Sequence, residues 1–169
     1  DDNPDIEDYM GHGDLLADDI FCLADGPRAL DCLDFDDQLR WMDVLDDVAC
    51  LAMDLEDLGN ASAAQRFMTD YAEFSGDPQP ETLLHHYIAY RAHVRAKVAA
   101  LRAAQGDPGA GARARSLQDL SLRHLERAQV RMVLVGGAPG TGKTTVARAL
   151  GDARGWEVIG SDETRKDAA

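Results

Sequence analysis

The residues best equipped for chemistry fall into two sets. The first is the run Gly136-Gly137-Ala138-Pro139-Gly140-Thr141-Gly142-Lys143-Thr144-Thr145, which follows the apolar Met132-Val133-Leu134-Val135 and precedes Val146-Ala147-Arg148-Ala149-Leu150. Glycines at 137, 140 and 142 let a backbone wrap closely around an anion and aim successive N–H groups at its oxygens. In the pattern G-x-x-x-x-G-K-T from Gly137 to Thr144, the lysine reaches nucleotide β- and γ-phosphates and the threonine hydroxyl ligates Mg²⁺. The flanking residues predict a strand before the loop and a helix after it, and the helix start near Gly142 adds the positive end of its dipole. Residues 137–145 are therefore expected to bind the phosphates of ATP, with Thr144 as a metal ligand. The loop alone names no reaction, since NTPases and small-molecule kinases share it.

The second set is spread over His12-Gly13-Asp14-Leu15-Leu16-Ala17-Asp18-Asp19-Ile20 and Leu30-Asp31-Cys32-Leu33-Asp34-Phe35-Asp36-Asp37. Phosphoryl transfer to an alcohol needs an aspartate that accepts the hydroxyl proton and oxygen ligands that hold Mg²⁺ on the phosphates. Asp14 suits the first role, and Asp19 and Asp34 suit the second. Asp31 is a rival to Asp34, because a shift of one short bulge in the hairpin would exchange them. A smaller group, Ser161-Asp162-Glu163-Thr164-Arg165-Lys166, follows a predicted strand at 157–162, the edge at which open α/β sheets bind ligands. Ser161 and Asp162 read equally well as a helix N-cap.

These groups need elements to position them. Residues 20–23 and 29–35 read as two strands joined by the turn formers Asp25, Gly26 and Pro27. From Asp37 to Leu58 the apolar residues recur at three- and four-residue spacing, which predicts a long helix with a solvated acidic face, stopped by Gly59. A second helix is expected from a Ser62 cap to Ser75-Gly76, and a third from Thr82 to about Ala104. Along the third, His85, His86, Arg91, Arg95 and Lys97 either line a site for an anionic substrate or, the reading we favour, form an exposed basic face paired with the acidic helix. The Gly-, Ala- and Pro-rich residues 106–115 read as a linker. The expected domains are therefore 1–105 and 116–169, with a helix near 117–125 leading into the phosphate-loop strand.

The composition narrows the class. Of the 31 acidic residues, 19 lie in the first 60 positions against Arg28 and Arg40 alone, and the net charge is -14. A nucleic-acid footprint would need a basic face, so no nucleic-acid partner is expected. No run of apolar residues reaches membrane-spanning length and the first residues lack a signal-peptide pattern, so no membrane partner and a cytoplasmic setting are expected. Nothing in the chain fixes an oligomeric state. Three scattered cysteines, Cys22, Cys32 and Cys50, each among apolar neighbours, are expected to be buried free thiols.

With its hairpin and its Asp34-Phe35-Asp36 segment, the His12-Gly13-Asp14 stretch resembles the catalytic core of the aminoglycoside phosphotransferase family, relatives of the protein kinases. Asp19 stands where that family has asparagine, and Asp36 where it has glycine. The Ser161–Lys166 stretch resembles that of small P-loop kinases of the gluconate kinase type, in which Asp162 would contact the acceptor and Arg165 would hold anionic groups. The order of the two parts resembles a bacterial fusion of the two kinds of domain, including Leu39–Asp47, Asp54–Gly59, His85–Val98 and the phosphate loop. The resemblance implies an α+β kinase-like C-lobe, hairpin plus helices, followed by an incomplete α/β P-loop unit. Its catalytic residues would be Asp14, Asp162 and Arg165, its cofactors ATP and Mg²⁺, and its partner a small-molecule acceptor. Only 11 residues precede His12, so the nucleotide-gripping N-terminal lobe is not expected in this chain, and the copy is read as partial. A P-loop ATPase or a non-catalytic nucleotide-binding regulatory module is the alternative reading.

Overall fold

The computed structural model describes residues 8–76, 80–160 and 164–165. They divide into two compact units at Val130/Arg131. The first unit opens with short β elements that hold loops. Strand β1 (Asp8–Met10) pairs antiparallel with a later strand, β4 (Trp41–Asp43), in the register Tyr9↔Met42. Between them lie a 3₁₀ turn at Ala17–Asp19, the hairpin β2 (Ile20–Leu23) and β3 (Gly26–Ala29), and a second 3₁₀ turn at Asp37–Arg40.

Two expectations are corrected here. The second hairpin strand is 26–29 rather than 29–35, because Leu23 pairs directly with Gly26 across the two-residue turn Ala24-Asp25. The helix expected from Asp37 starts at Val44. Asp43 caps it by accepting from Leu45 N at 2.8 Å, and the three residues before are drawn into the β1–β4 pair. Neither β1 nor β4 announces itself in the sequence, since three-residue strands are too short to show alternation.

Helices α1 (Val44–Asp57), α2 (Ala61–Ser75), α3 (Glu81–Ala104) and α4 (Ala110–Arg127) build the core. Helix α2 is capped by Asn60, which accepts from Ala63 N at 3.2 Å, rather than by Ser62. Leu45, Val48, Met53 and neighbouring small residues of α1 are buried against Ile88, Ala92 and Ala96 of α3 and Leu117 and Leu120 of α4. Each large apolar side chain so buried contributes about 1.5–3 kcal/mol. Alanines at 89, 92, 96 and 99 of α3 are all buried. Their three- and four-residue spacing makes a low ridge along which a neighbouring helix can approach, and Ser121 Oγ fixes α4 there by donating to Ala89 O at 2.9 Å.

That seam also corrects the linker. Residues 106–109 form a tight turn, with Gly106 and Gly109 at φ 90 and 92, and α4 begins at Ala110. The turn joins two helices that pack on each other, so α4 belongs to the first unit and the boundary falls some 20 residues later than the composition suggested. The three cysteines are free, as expected, but only Cys50 is buried; Cys22 is exposed on the hairpin.

The second unit is built on α5 (Lys143–Arg154), closed by Gly155 at φ 65. The following residues turn back along it, and Trp156 N donates to Gly151 O at 3.0 Å. Among the described residues, the strands expected at 132–135 and 157–162 form no ladder, and residues 161–163 lie outside the described residues. Met132 and Leu134 are 81% and 84% exposed. Apolar runs of this kind belong to parallel strands covered on both faces, and a strand acquires its ladder only from a neighbour.

Candidate functional site

The phosphate loop is shaped by its glycines. Gly140 and Gly142 stand at φ 80 and 85, in the left-handed region that a side chain would disfavour. A Cβ on Gly137 would meet Thr141 Oγ1 at 2.9 Å and the Lys143 stem at 3.5 Å, so only glycine lets the loop curl this tightly. The Ala138 carbonyl lies at the centre of the curl. It accepts from Thr141 N at 3.4 Å, from Thr141 Oγ1 at 2.8 Å and from Lys143 Nζ at 2.9 Å. Lys143 is thereby folded back across the loop, with its ammonium above the backbone that precedes α5. The first intrahelical bond of α5 is Val146 N to Gly142 O, so the N–H groups of Lys143, Thr144 and Thr145 precede the ladder, where a helix binds anions. Ala138, Pro139, Thr144 and Thr145 are exposed. Arg165 is exposed as well, while Asp162 lies outside the described residues.

In the first unit, the loop at His12–Asp14 is clamped from three sides. Asp47, in the first turns of α1, accepts from His12 N at 2.7 Å and from Gly13 N at 3.0 Å. Gly13 O in turn accepts from Arg91 Nη1 at 2.9 Å. The imidazole of His12 contacts Leu30 O through Nε2 at 2.8 Å, and Leu33 N donates to His12 O at 2.9 Å. The segment carrying Asp34 is thus tied directly to the loop carrying Asp14. Gly13 stands at φ 90, and a Cβ there would fall 3.0 Å from Leu33 Cβ, which is the physical reason for glycine between His12 and Asp14.

Arg91 is held by Asp46, with Nε to Oδ1 at 2.7 Å and Nη2 to Oδ2 at 3.0 Å. Burial pushes the Asp46 carboxyl up, against the hydrogen bonds and charge of Arg91. Burial alone would lower Arg91, but the hydrogen bonds and charge of Asp46 outweigh it and raise the guanidinium. The Asp14 side chain, next along the loop, is 43% exposed and 3.7 Å from Arg95 Nη1. Behind it, the Cys50 thiol donates to Asp14 Oδ1 at 3.8 Å, and burial pushes that thiol up to about 12, so it stays protonated.

The structure therefore brings Asp14 and the Asp34 segment together, on a support the sequence reading missed. Asp46 and Asp47 were assigned to a solvated acidic face, whereas both are partly buried and engaged. Of the exposed basic face expected to pair with the acidic helix, Arg91 pairs with Asp46 of α1 but is only 12% exposed, Arg95 pairs with Asp14 of the loop instead, and His85 is buried. Asp19 turns one oxygen to Leu16 N at 3.3 Å; Asp31 stands at φ 63 and, like Asp34, is exposed. Among the described residues, no three His, Cys, Asp or Glu side chains gather as a metal-holding group. Mg²⁺ on a nucleotide needs only one or two carboxylates, with phosphate oxygens and water completing its shell. None of the described helices is long and apolar enough to cross a membrane.

Residues 132–169 match the family described as AAA domain, and this part of the chain is a P-loop nucleotide-binding unit. Over 156 residues the chain is 51% identical to uncharacterized proteins of Mycobacterium bovis and Mycobacterium tuberculosis. The match covers 92% of this chain and 31% of each relative, so the chain spans about a third of the length of the curated relatives it matches. No solved structure matches it.

Proposed function

We propose that this chain is part of a Mg²⁺-dependent phosphotransferase that moves a phosphoryl group from ATP to a hydroxyl of a small molecule. In this reading residues 8–130 belong to a kinase-like C-lobe of the aminoglycoside phosphotransferase type and residues 131–169 open a P-loop kinase unit. The observation that carries it is the curled loop at Gly137–Thr144, with Lys143 folded across it at the start of α5.

ATP supplies the activated phosphoryl group, and Mg²⁺ offsets the charge that develops on its oxygens. In the second unit, the N–H groups at the start of α5 and the Lys143 ammonium bind the phosphates, and the Thr144 hydroxyl would hold the metal. Asp162 and Arg165 would bind the acceptor there. In the first unit, Asp14 accepts the proton of the attacking hydroxyl. Its backbone is fixed by the Asp47 and Arg91 contacts, so the carboxylate is positioned without reorganisation. Asp19, through the oxygen not turned to Leu16, and Asp34 would hold the metal at that site.

Thermal denaturation of the chain with ATP and Mg²⁺ tests the nucleotide site. A rise in melting temperature is expected, and Lys143→Ala should abolish it; an undiminished shift in that variant refutes the assignment. Transfer is tested in the full-length protein by acceptor-dependent ADP release, which Asp14→Ala should reduce without altering the thermal shift. Hydrolysis indifferent to any acceptor would identify an ATPase instead, and a thermal shift without transfer to any alcohol a regulatory module.

A further inference from the structure

Outside both sets of residues, the four helices of the first unit leave an open cleft of about 290 Å³. Met68, Leu84 and Ile88 supply its apolar wall. His85 also lines it, with only 6% of its surface exposed, and its Nε2 is buried without a hydrogen-bond partner. Glu81 Oε1 lies 3.4 Å from it.

The proton on that nitrogen is fixed by a chain of contacts. His124 Nε2 lies 3.1 Å from Glu56 Oε2, and the bond lowers the Glu56 carboxyl, so the carboxylate is ionised and His124 Nε2 carries the hydrogen. His124 Nδ1 and His85 Nδ1 are 3.0 Å apart, so one proton lies between them. In the neutral pair that proton belongs to His85 Nδ1, and His85 Nε2, buried in the wall of the cleft beside Glu81, is left with a bare lone pair. A further proton on the pair must go to His85 Nε2, whichever ring keeps the shared one. Burial, then Arg127 and His124, lower His85 against the opposing pull of the Glu81 carboxylate.

We propose that the cleft binds small molecules bearing a primary ammonium on an apolar body, the ammonium donating to His85 Nε2 and to the Glu81 carboxylate while the body lies on Met68, Leu84 and Ile88. Charge supports a cation. Glu56 from α1 and Glu81 from α3 face the cleft against one guanidinium, Arg127 from α4, which stands 3.7 Å from Glu81. From α2 the polar lining is Gln65 and Thr69, both uncharged. Arg123 and His124 act on Glu56 from the α4 side. Acid works against the ligand, because protonated His85 Nε2 becomes a donor that points at Glu81 and repels an ammonium.

The test is NMR titration of the whole chain with hexylammonium, following the Met68 methyl and the His85 ring, with hexanoate and hexanol as comparators. Saturable shifts confined to the cleft are expected, with affinity at least about tenfold above hexanoate and declining as pH falls from about 8 to about 5.5. His85→Phe keeps an apolar ring and removes the acceptor, and should cost about tenfold in affinity. If that variant does not fold, Glu81→Gln, at an exposed position, should weaken binding several-fold. Equal affinity for hexanoate, shifts lying elsewhere, no saturation, or variants that bind like the parent would each overturn the proposal.

Discussion

Replacing Asp47 with alanine removes the acceptor for two backbone donors at once, His12 N at 2.7 Å and Gly13 N at 3.0 Å. A hydrogen bond to a charged group contributes about 1.5–3 kcal/mol net, and the partial exposure of this pair places each near the lower end. Loss of a carboxylate from the first turns of α1 adds about 0.3–1 kcal/mol through the helix dipole. Asp47→Ala should therefore destabilise the first unit by about 3–4 kcal/mol, a large share of the ~5–15 kcal/mol typical of a domain. Urea denaturation followed by far-UV circular dichroism reads the total, since α1–α4 supply most of the helix. Amide exchange supplies the local reading: His12 and Gly13 should lose protection by about two orders of magnitude, with 1.36 kcal/mol per factor of ten. Asp47→Asn keeps the volume and one acceptor oxygen, and should cost about half as much. A cost below about 0.5 kcal/mol for the alanine variant, or unchanged exchange at His12 and Gly13, would refute the clamp.

Burial of Cys50 and exposure of Cys22 predict that an aromatic disulfide reagent near pH 8 labels Cys22 quickly and Cys50 at least about a thousandfold more slowly; comparable rates would contradict the buried, protonated thiol. His85 is lowered by burial and Glu56 by its bond to His124, so the unfolded chain binds more protons than the folded one at both sites. Their contribution to stability is present at neutral pH and is lost as pH falls, first below the ordinary histidine value near 6.5 and then through the lowered Glu56 range. Asp46, raised by burial, works in the opposite sense. Melting temperature against pH should show the first step in the parent and not in His85→Gln. Gly151→Ala would place a Cβ 2.5 Å from Val158 Cγ2 and 2.9 Å from Trp156 O. It should destabilise the second unit by about 1–3 kcal/mol, read from Trp156 fluorescence, and Val158→Ala should restore only part, because the carbonyl remains.

The elements that could be read from sequence were those whose signal is local. The helical spacing from Val44 onward, the glycine stop at Gly59, the third helix and the phosphate loop each follow from residues within a few positions of one another. What escaped depends on distant partners. Trp41–Asp43 became a strand because Asp8–Met10 lies beside it, and 106–109 became a turn because the α4 face that buries Leu117 and Leu120 fits the α3 alanines. The apolar run at 132–135 failed in the converse way: its composition is that of a sheet strand, yet no strand pairs with it among the described residues. At the candidate site, the motifs around Asp14 and Lys143 could be read from their spacing, while the supports at Asp47 and Arg91 required knowing which helix faces the loop.

The acidity of the first 60 residues takes on a different meaning once those partners are known. Between His12 and Leu45 the backbone forms only short strands and 3₁₀ turns joined by irregular stretches, and N–H groups outside a ladder need other acceptors. Six of them donate to carboxylates: Leu16 to Asp19, Ala17 to Asp54, Gln38 to Asp36, Leu45 to Asp43, and His12 and Gly13 to Asp47. Asp54, only 6% exposed, would be an unlikely interior residue without such a donor. Carboxylates suit this task because they accept several hydrogen bonds and the charge strengthens each one. The charge is therefore not merely a solvated surface. Part of it replaces sheet pairing in the segment that carries Asp14.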